Sequence, residues 1–349
     1  MPNYRKAFFD PEGSPGFEKV ADPGGGERLR EDWAYDAGAA FSGAERHFVF
    51  AEEAVLALNI ALATGRPLLV SGEPGGGKTS LARFAAHALG RVFYRETITS
   101  RTQASDLLSS FDALQRLSDA QVKEGLRPKQ AYVMPGGLWW ALNPETAAWR
   151  GRAPLAGAAP LADPGIAPRT RSPAETGAGA SSATLLLDEI DKADPDVPND
   201  LLEALDERSF VVRETGERIE PSRPELLIVM TTNGERELPP AFMRRCVTVQ
   251  LPKPDADGLI DIARRRFGAD AGPFGETLYR RLAQHVVGLR KPAPGRPERS
   301  PSTSEYIDAV SACRRLLAEN WLADGNALDA LLGAVLTKPV RFDAGEGGG

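Results

Sequence analysis

The chain has 349 residues, with 42 lysines and arginines against 48 aspartates and glutamates, a net charge of −6 and an isoelectric point near 5.4. That balance gives no bulk attraction to nucleic acid or to an anionic membrane, and no apolar run is long enough to span a bilayer. Its two cysteines, Cys246 and Cys313, stand far apart without metal-ligand spacing, which suggests neither a zinc site nor a disulfide framework and, with no signal core behind the N-terminus, makes a reducing cytoplasm the expected compartment.

Residues 1–45 are polar and glycine-rich and read as a flexible arm. From Ala51 to Thr64 the broadly helical spacing of Val55, Leu56, Leu58, Ile60 and Leu62 predicts a helix, with Gly65 as its stop. The next stretch, Pro67 to Ser80, is a short apolar strand, a glycine-rich turn and a Lys-Thr pair opening a helix. Its residues Gly72, Glu73, Pro74, Gly75, Gly76, Gly77, Lys78 and Thr79 match the phosphate-loop pattern in full, and Ser80 follows inside the helix. The glycines let backbone N–H groups converge on an anion, and the helix adds the positive end of its dipole. Lys78 is placed to reach the outer phosphates of a nucleotide, and the Thr79 hydroxyl to ligate Mg²⁺.

A second strand is predicted over 91–98 and a helix over 107–117. Trp139, Trp140 and Trp149 fall close together and are expected to pack an insertion against the core. Residues 151–182 are dominated by Gly, Ala, Pro and Ser and read as a low-complexity loop without structure of its own. Strands follow at 183–187, 226–230 and 247–251, with a helix at 199–207 and a hairpin around 210–219. Alternating strands and helices predict a central parallel sheet between helical layers, a three-layer α/β sandwich over 46–252. Beyond 253 only helical periodicity remains, at 255–267, 276–288, 304–319 and 325–336. That is a small all-α domain over 253–340, with a tail at 341–349.

The strand Thr184-Leu-Leu-Leu187 runs straight into Asp188-Glu189. Acids directly after three leucines are poor strand propagators, so they call for a chemical reason. Asp188 can bind the Mg²⁺ shell with Thr79, and Glu189 can deprotonate an attacking water.

These two motifs, with Met230-Thr-Thr-Asn233 at the end of another strand, resemble the AAA+ ATPases. The resemblance implies that Asn233 holds the water beside Glu189, with Thr232 the weaker candidate. It also implies that an arginine in Glu237-Leu-Pro-Pro-Ala-Phe-Met-Arg-Arg-Cys246 reaches the γ-phosphate of a neighbouring subunit. Arg245 aligns best, with Arg244 as the fallback. Within that family, Leu187-Asp-Glu-Ile-Asp-Lys-Ala193, Leu201 to Arg208 and the Leu238-Pro-Pro-Ala241 segment are similar to the MoxR group and its dynein-related relatives, over about residues 50–320. Ser105-Asp-Leu-Leu108 resembles that group's Asp-Leu-Leu-Gly signature with Ser109 in place of glycine. A helical-domain arginine usual in the family is missing from Arg299-Ser-Pro-Ser-Thr-Ser-Glu305, leaving Arg290, Lys291 or Arg299 as substitutes.

The resemblance implies ATP and Mg²⁺ as ligands, a homo-oligomeric ring, usually a hexamer, and ATP hydrolysis that remodels or matures a protein client. A von Willebrand factor A protein is the partner such proteins typically have. The alternatives are a nucleic-acid motor or clamp-loader-like ATPase, against which the acidic balance counts, and a scaffold that binds nucleotide without hydrolysing it.

Overall fold

The structure, a computed structural model, describes residues 9, 19–21, 27–29, 51–121, 126–154, 158–166, 182–223, 225–269, 274–291, 300–317 and 325–336. Most of the arm, the tail at 341–349 and Arg299 lie outside the described residues.

Contacts divide the chain into two units: one holds residues 50–72 and 78–251, the other 73–77 and 252 onward. In the first, helix α1 (Glu52–Thr64) ends where Gly65 turns left-handed at φ 69°, a conformation glycine adopts without strain. It buries Ala54, Val55, Leu58 and Ala61. Five parallel strands follow: β1 (Leu68–Ser71), β2 (Val92–Thr97), β3 (Ala183–Asp188), β4 (Leu226–Thr232) and β5 (Val247–Gln250), in the spatial order β5-β1-β4-β3-β2. Every residue of β3 and β4 is buried, so their apolar runs are continuous rather than alternating, as a sheet covered on both faces requires. In register, Ser71 pairs with Thr232 and Thr97 with Asp188. The carboxyl ends of the four inner and edge strands β1, β4, β3 and β2 therefore come level, where open parallel sheets bind ligands.

Helix α2 (Lys78–Ala88) starts directly after the glycine turn and packs against β2 and β3. The tryptophan insertion folds as predicted onto the core. Trp139 is fully buried, meets Phe210 edge-to-face at 5.8 Å and donates its indole N–H to Thr146, while Trp140 is buried and Trp149 half-buried.

Three local readings change. The helix predicted over 107–117 is instead a short helix at Ala104–Leu108, a strand at Ser109–Phe111 and a second helix at Ala113–Gln121. The strand pairs antiparallel with Val133–Pro135, and the Asp112 carboxylate accepts the Gln115 N–H to restart the helix. Leucine spacing alone could not see a break made by serine, aspartate and a distant strand. Second, the helix at 199–207 is two, Asp196–Asp200 and Leu202–Glu207. Third, the described part of 151–182 is anchored. Ile166 bridges Phe93 on the outer edge of β2, the Leu161 N–H donates to Ala148, and the Tyr94 hydroxyl donates to Asp163.

The second unit has helices at Ala256–Phe267, Glu276–Arg290, Thr303–Leu316 and Gly325–Leu336. Leu259, Tyr279, Leu282, Tyr306, Val310 and Leu328 form its core. Ser302 caps the third of these helices in a reciprocal box with Glu305. In the same unit Ser304 donates to the Gly75 carbonyl at 3.2 Å, and Lys253 pairs with Glu73. Arg290 spends its guanidinium on the carbonyls of Pro254 and Pro301. Among the described residues no helix is long and apolar enough to cross a membrane.

Candidate active site

The glycine turn is cut to backbone dimensions. Gly77 sits at φ 92°, which disfavours any side chain, and a Cβ on Gly76 would lie 3.0 Å from the Glu73 carbonyl oxygen. Directly after it, Lys78 is 7% exposed. Its ammonium donates to the Gly72 carbonyl and to Asn233 Oδ1, both at 2.7 Å. A buried ammonium is costly unless it is paired; the Gly72 carbonyl and the Asn233 amide oxygen are two of the acceptors that hold it here.

Thr79 Oγ1 donates towards both oxygens of Asp188 at 3.1 Å. Asp188, the last residue of β3, also accepts from Thr231 Oγ1 at 2.6 Å and pairs with Arg95 of β2 at 2.7 Å. The strands explain the grouping: β4 and β2 flank β3, so the residues at their carboxyl ends converge on Asp188. A hydroxyl and one carboxylate are hard oxygen donors suited to Mg²⁺, which keeps most of its water and needs few protein ligands. Among the described residues no group of three or more His, Cys, Asp or Glu gathers as a metal site.

Glu189 follows in a left-handed conformation, φ 62° and ψ 50°, costly for a non-glycine residue. Its N–H is fixed by Thr231 Oγ1 at 2.8 Å. The carboxylate is gripped on both oxygens: Asn233 Nδ2 donates to Oε1 at 3.2 Å and Lys192 Nζ to Oε2 at 2.7 Å. That hydrogen bond, foremost, holds the Lys192 amine above its ordinary value. Asn233 is itself fixed through its N–H by Asp191 Oδ2 at 3.1 Å. Thr232 accepts the Gly234 N–H with its hydroxyl, a local turn contact.

Lys78, Thr79, Asp188, Glu189 and Asn233 are thus brought together, although 155 positions separate Lys78 from Asn233. Arg245 belongs to a different set. Its guanidinium bonds Asp206 at 2.6 Å and the Ala241 carbonyl at 3.2 Å, while Arg66 braces the carbonyls of Arg244, Arg245 and Cys246 from below. Sequence reasoning assigns no role to Thr231 or Lys192, though both lie in the motifs quoted above, and none to Arg95. A threonine inside an apolar strand run, beside the acid of its neighbour, was the available signal for Thr231. Its place in the middle of β2 was the signal for Arg95.

The profile of the AAA domain, dynein-related subfamily, matches residues 67–246, just over half of the chain. The chain belongs to the dynein-related AAA family. No match was found among curated proteins. This AAA chain is also similar to solved structures. One is a Cytophaga hutchinsonii protein described by a proposed ATPase activity, at 17% identity and TM-score 0.37, covering 80% of this chain and 66% of that one. Another is the Thermotoga maritima RuvB Holliday junction branch migration motor, at 14% identity and TM-score 0.43, covering 81% and 67%. A point mutant of that RuvB gives 15% identity and TM-score 0.45, covering 84% and 73%. The chain therefore spans about two thirds to three quarters of their lengths. The AAA match implies a nucleotide-binding ATPase domain.

Proposed function

We propose that this AAA protein hydrolyses ATP and works as a MoxR-like ring that remodels or matures a protein assembly. The observation that carries the reading is the joined set Lys78–Asn233–Glu189 beside Thr79–Asp188, a phosphate-binding lysine wired through one amide to a candidate base.

In this reading the loop at 72–79 holds the triphosphate. Lys78 turns from Gly72 and Asn233 to the outer phosphates. Thr79 and Asp188 would hold Mg²⁺, whose charge draws electron density from the phosphoryl oxygens. Glu189 takes a proton from water, the water oxygen bonds to the γ-phosphorus, and the bond to the β-phosphate's bridging oxygen breaks to leave ADP. Asn233 fixes the line of attack. Positioning and charge supply most of such a reaction's acceleration. Arg245, released from Asp206, is the residue that would reach a neighbour's phosphates. A homo-oligomeric ring, a protein client, a von Willebrand factor A partner and a cytoplasmic setting complete the proposal.

Three variants test it. Lys78→Ala should lower ATP affinity by at least tenfold, measured by titration with a fluorescent nucleotide. Glu189→Gln should keep nucleotide binding and lose at least a hundredfold in turnover. Arg245→Ala should bind ATP but not hydrolyse it, and mixing it with Glu189→Gln should restore part of the activity if sites are shared between chains. Turnover of Glu189→Gln at the parent rate would overturn the catalytic assignment. Turnover driven by DNA but not by protein would favour the nucleic-acid reading.

A further inference from the structure

Glu189 has two carboxylate oxygens and they face different neighbours. Asn233 decides which is which. Its Oδ1 accepts from Lys78 and its Nδ2 donates to Glu189 Oε1, the only amide orientation that satisfies both partners, since an ammonium offers donors alone and a carboxylate acceptors alone. Oε1 is therefore the oxygen on the side of the phosphate-binding lysine. Oε2 is the other, and it is tied to Lys192 at 2.7 Å. The chain builds this tie locally. Glu189 enters left-handed, Ile190–Lys192 make one 3-10 turn, and the Lys192 N–H returns to the Glu189 carbonyl at 3.0 Å, which brings the ammonium back over the carboxylate. Both side chains remain about a third exposed, at 39% and 31%, so the pair adds little to folding stability. What it fixes is the direction of a side chain with three rotatable bonds.

Resting on the ATP-hydrolase reading above, we propose that Lys192 is a positioning residue: it clasps the outward oxygen of Glu189 so that the inward oxygen meets the attacking water. The backbone of Glu189 is held by Thr231 whether or not Lys192 is present, so the lysine acts on the carboxylate alone. Without it Asn233 provides the remaining grip on the carboxylate among the described residues, a longer contact at 3.2 Å, and the inward oxygen is lost from the line of attack for part of the time.

The test uses the full chain with Mg·ATP. Lys192→Met should lower kcat about tenfold while KM and nucleotide affinity stay within about twofold, and Lys192→Arg, which keeps a donor at that reach, should recover most of the loss. In a Glu189→Gln background Lys192→Met should cost nothing further. A second readout needs no turnover: acylation of lysines by a water-soluble ester, followed by mass spectrometry, should rise several-fold at Lys192 when Glu189→Gln is introduced, because the amine loses its carboxylate. Parent-rate turnover by Lys192→Met in a parent that hydrolyses ATP overturns the inference and leaves the ATPase reading standing. Acylation of Lys192 that does not change with Glu189→Gln overturns it as well. A parent that binds but never hydrolyses ATP, with its Lys192 acylation responding to Glu189, sinks the hydrolase reading and the positioning role built on it, while the ion pair itself remains.

Discussion

At the scale of single residues, Thr231 joins the two acids. Its hydroxyl donates to Asp188 and accepts from the N–H of Glu189, entirely out of water. Thr231→Val keeps the shape and removes both bonds, leaving a buried carboxylate and a strained residue short of a partner. It should destabilise the protein by about 1–3 kcal/mol in urea unfolding and lower turnover as well. The cysteines make a second case. Burial pushes the Cys246 and Cys313 thiols up to about 11, so neither offers much thiolate at neutral pH. Both should resist an aromatic disulfide reagent in the native protein and react promptly in denaturant.

At the scale of elements, the insertion between β2 and β3 carries much of the core on one face of the sheet. Trp139 is fully enclosed, with its ring on Phe210 and its indole N–H on Thr146. Trp139→Ala should cost about 3–5 kcal/mol and lower the melting temperature without touching the acids at the strand ends. How much of this was legible follows from period and range. The glycine turn, the lysine after it and the acids after three leucines are local patterns, and β3 and β4 are unbroken apolar runs, so the frame of the site could be read from the chain. Ser109–Phe111 could not, because its partner is Val133–Pro135 and nothing nearby announces the pairing. Nor could Ile166, whose strand-like bond depends on a free edge of β2. Lys192 was hidden for another reason: a charged residue three positions from an acid looks like an ordinary exposed face until the left-handed turn at Glu189 folds it back.

At the scale of the whole molecule, acid sensitivity has a specific origin in α2. His87 is 3% exposed, and burial lowers its imidazole from 6.5 to about 4. As pH falls below 6.5 the unfolded chain takes up this proton before the folded one does. Folding therefore loses stability between pH 6.5 and 4, by at most about 3 kcal/mol from this group. His87→Leu should remove that part of the acid limb: its unfolding free energy should gain on the parent's as the pH drops from 7 to 4, followed by urea titrations at each pH.

Phe9 carries a last consequence. It is 1% exposed, and Asn59 on α1 clamps its backbone twice, taking the N–H at 2.9 Å and giving its amide to the carbonyl at 2.7 Å. A trimmed chain beginning near residue 50 would keep the whole family-matched region, yet it would lose the buried Phe9 ring and both bonds between its backbone and Asn59. Expression of the AAA domain by itself, cut where the sequence looks expendable, should yield a protein that melts several degrees earlier than the intact one.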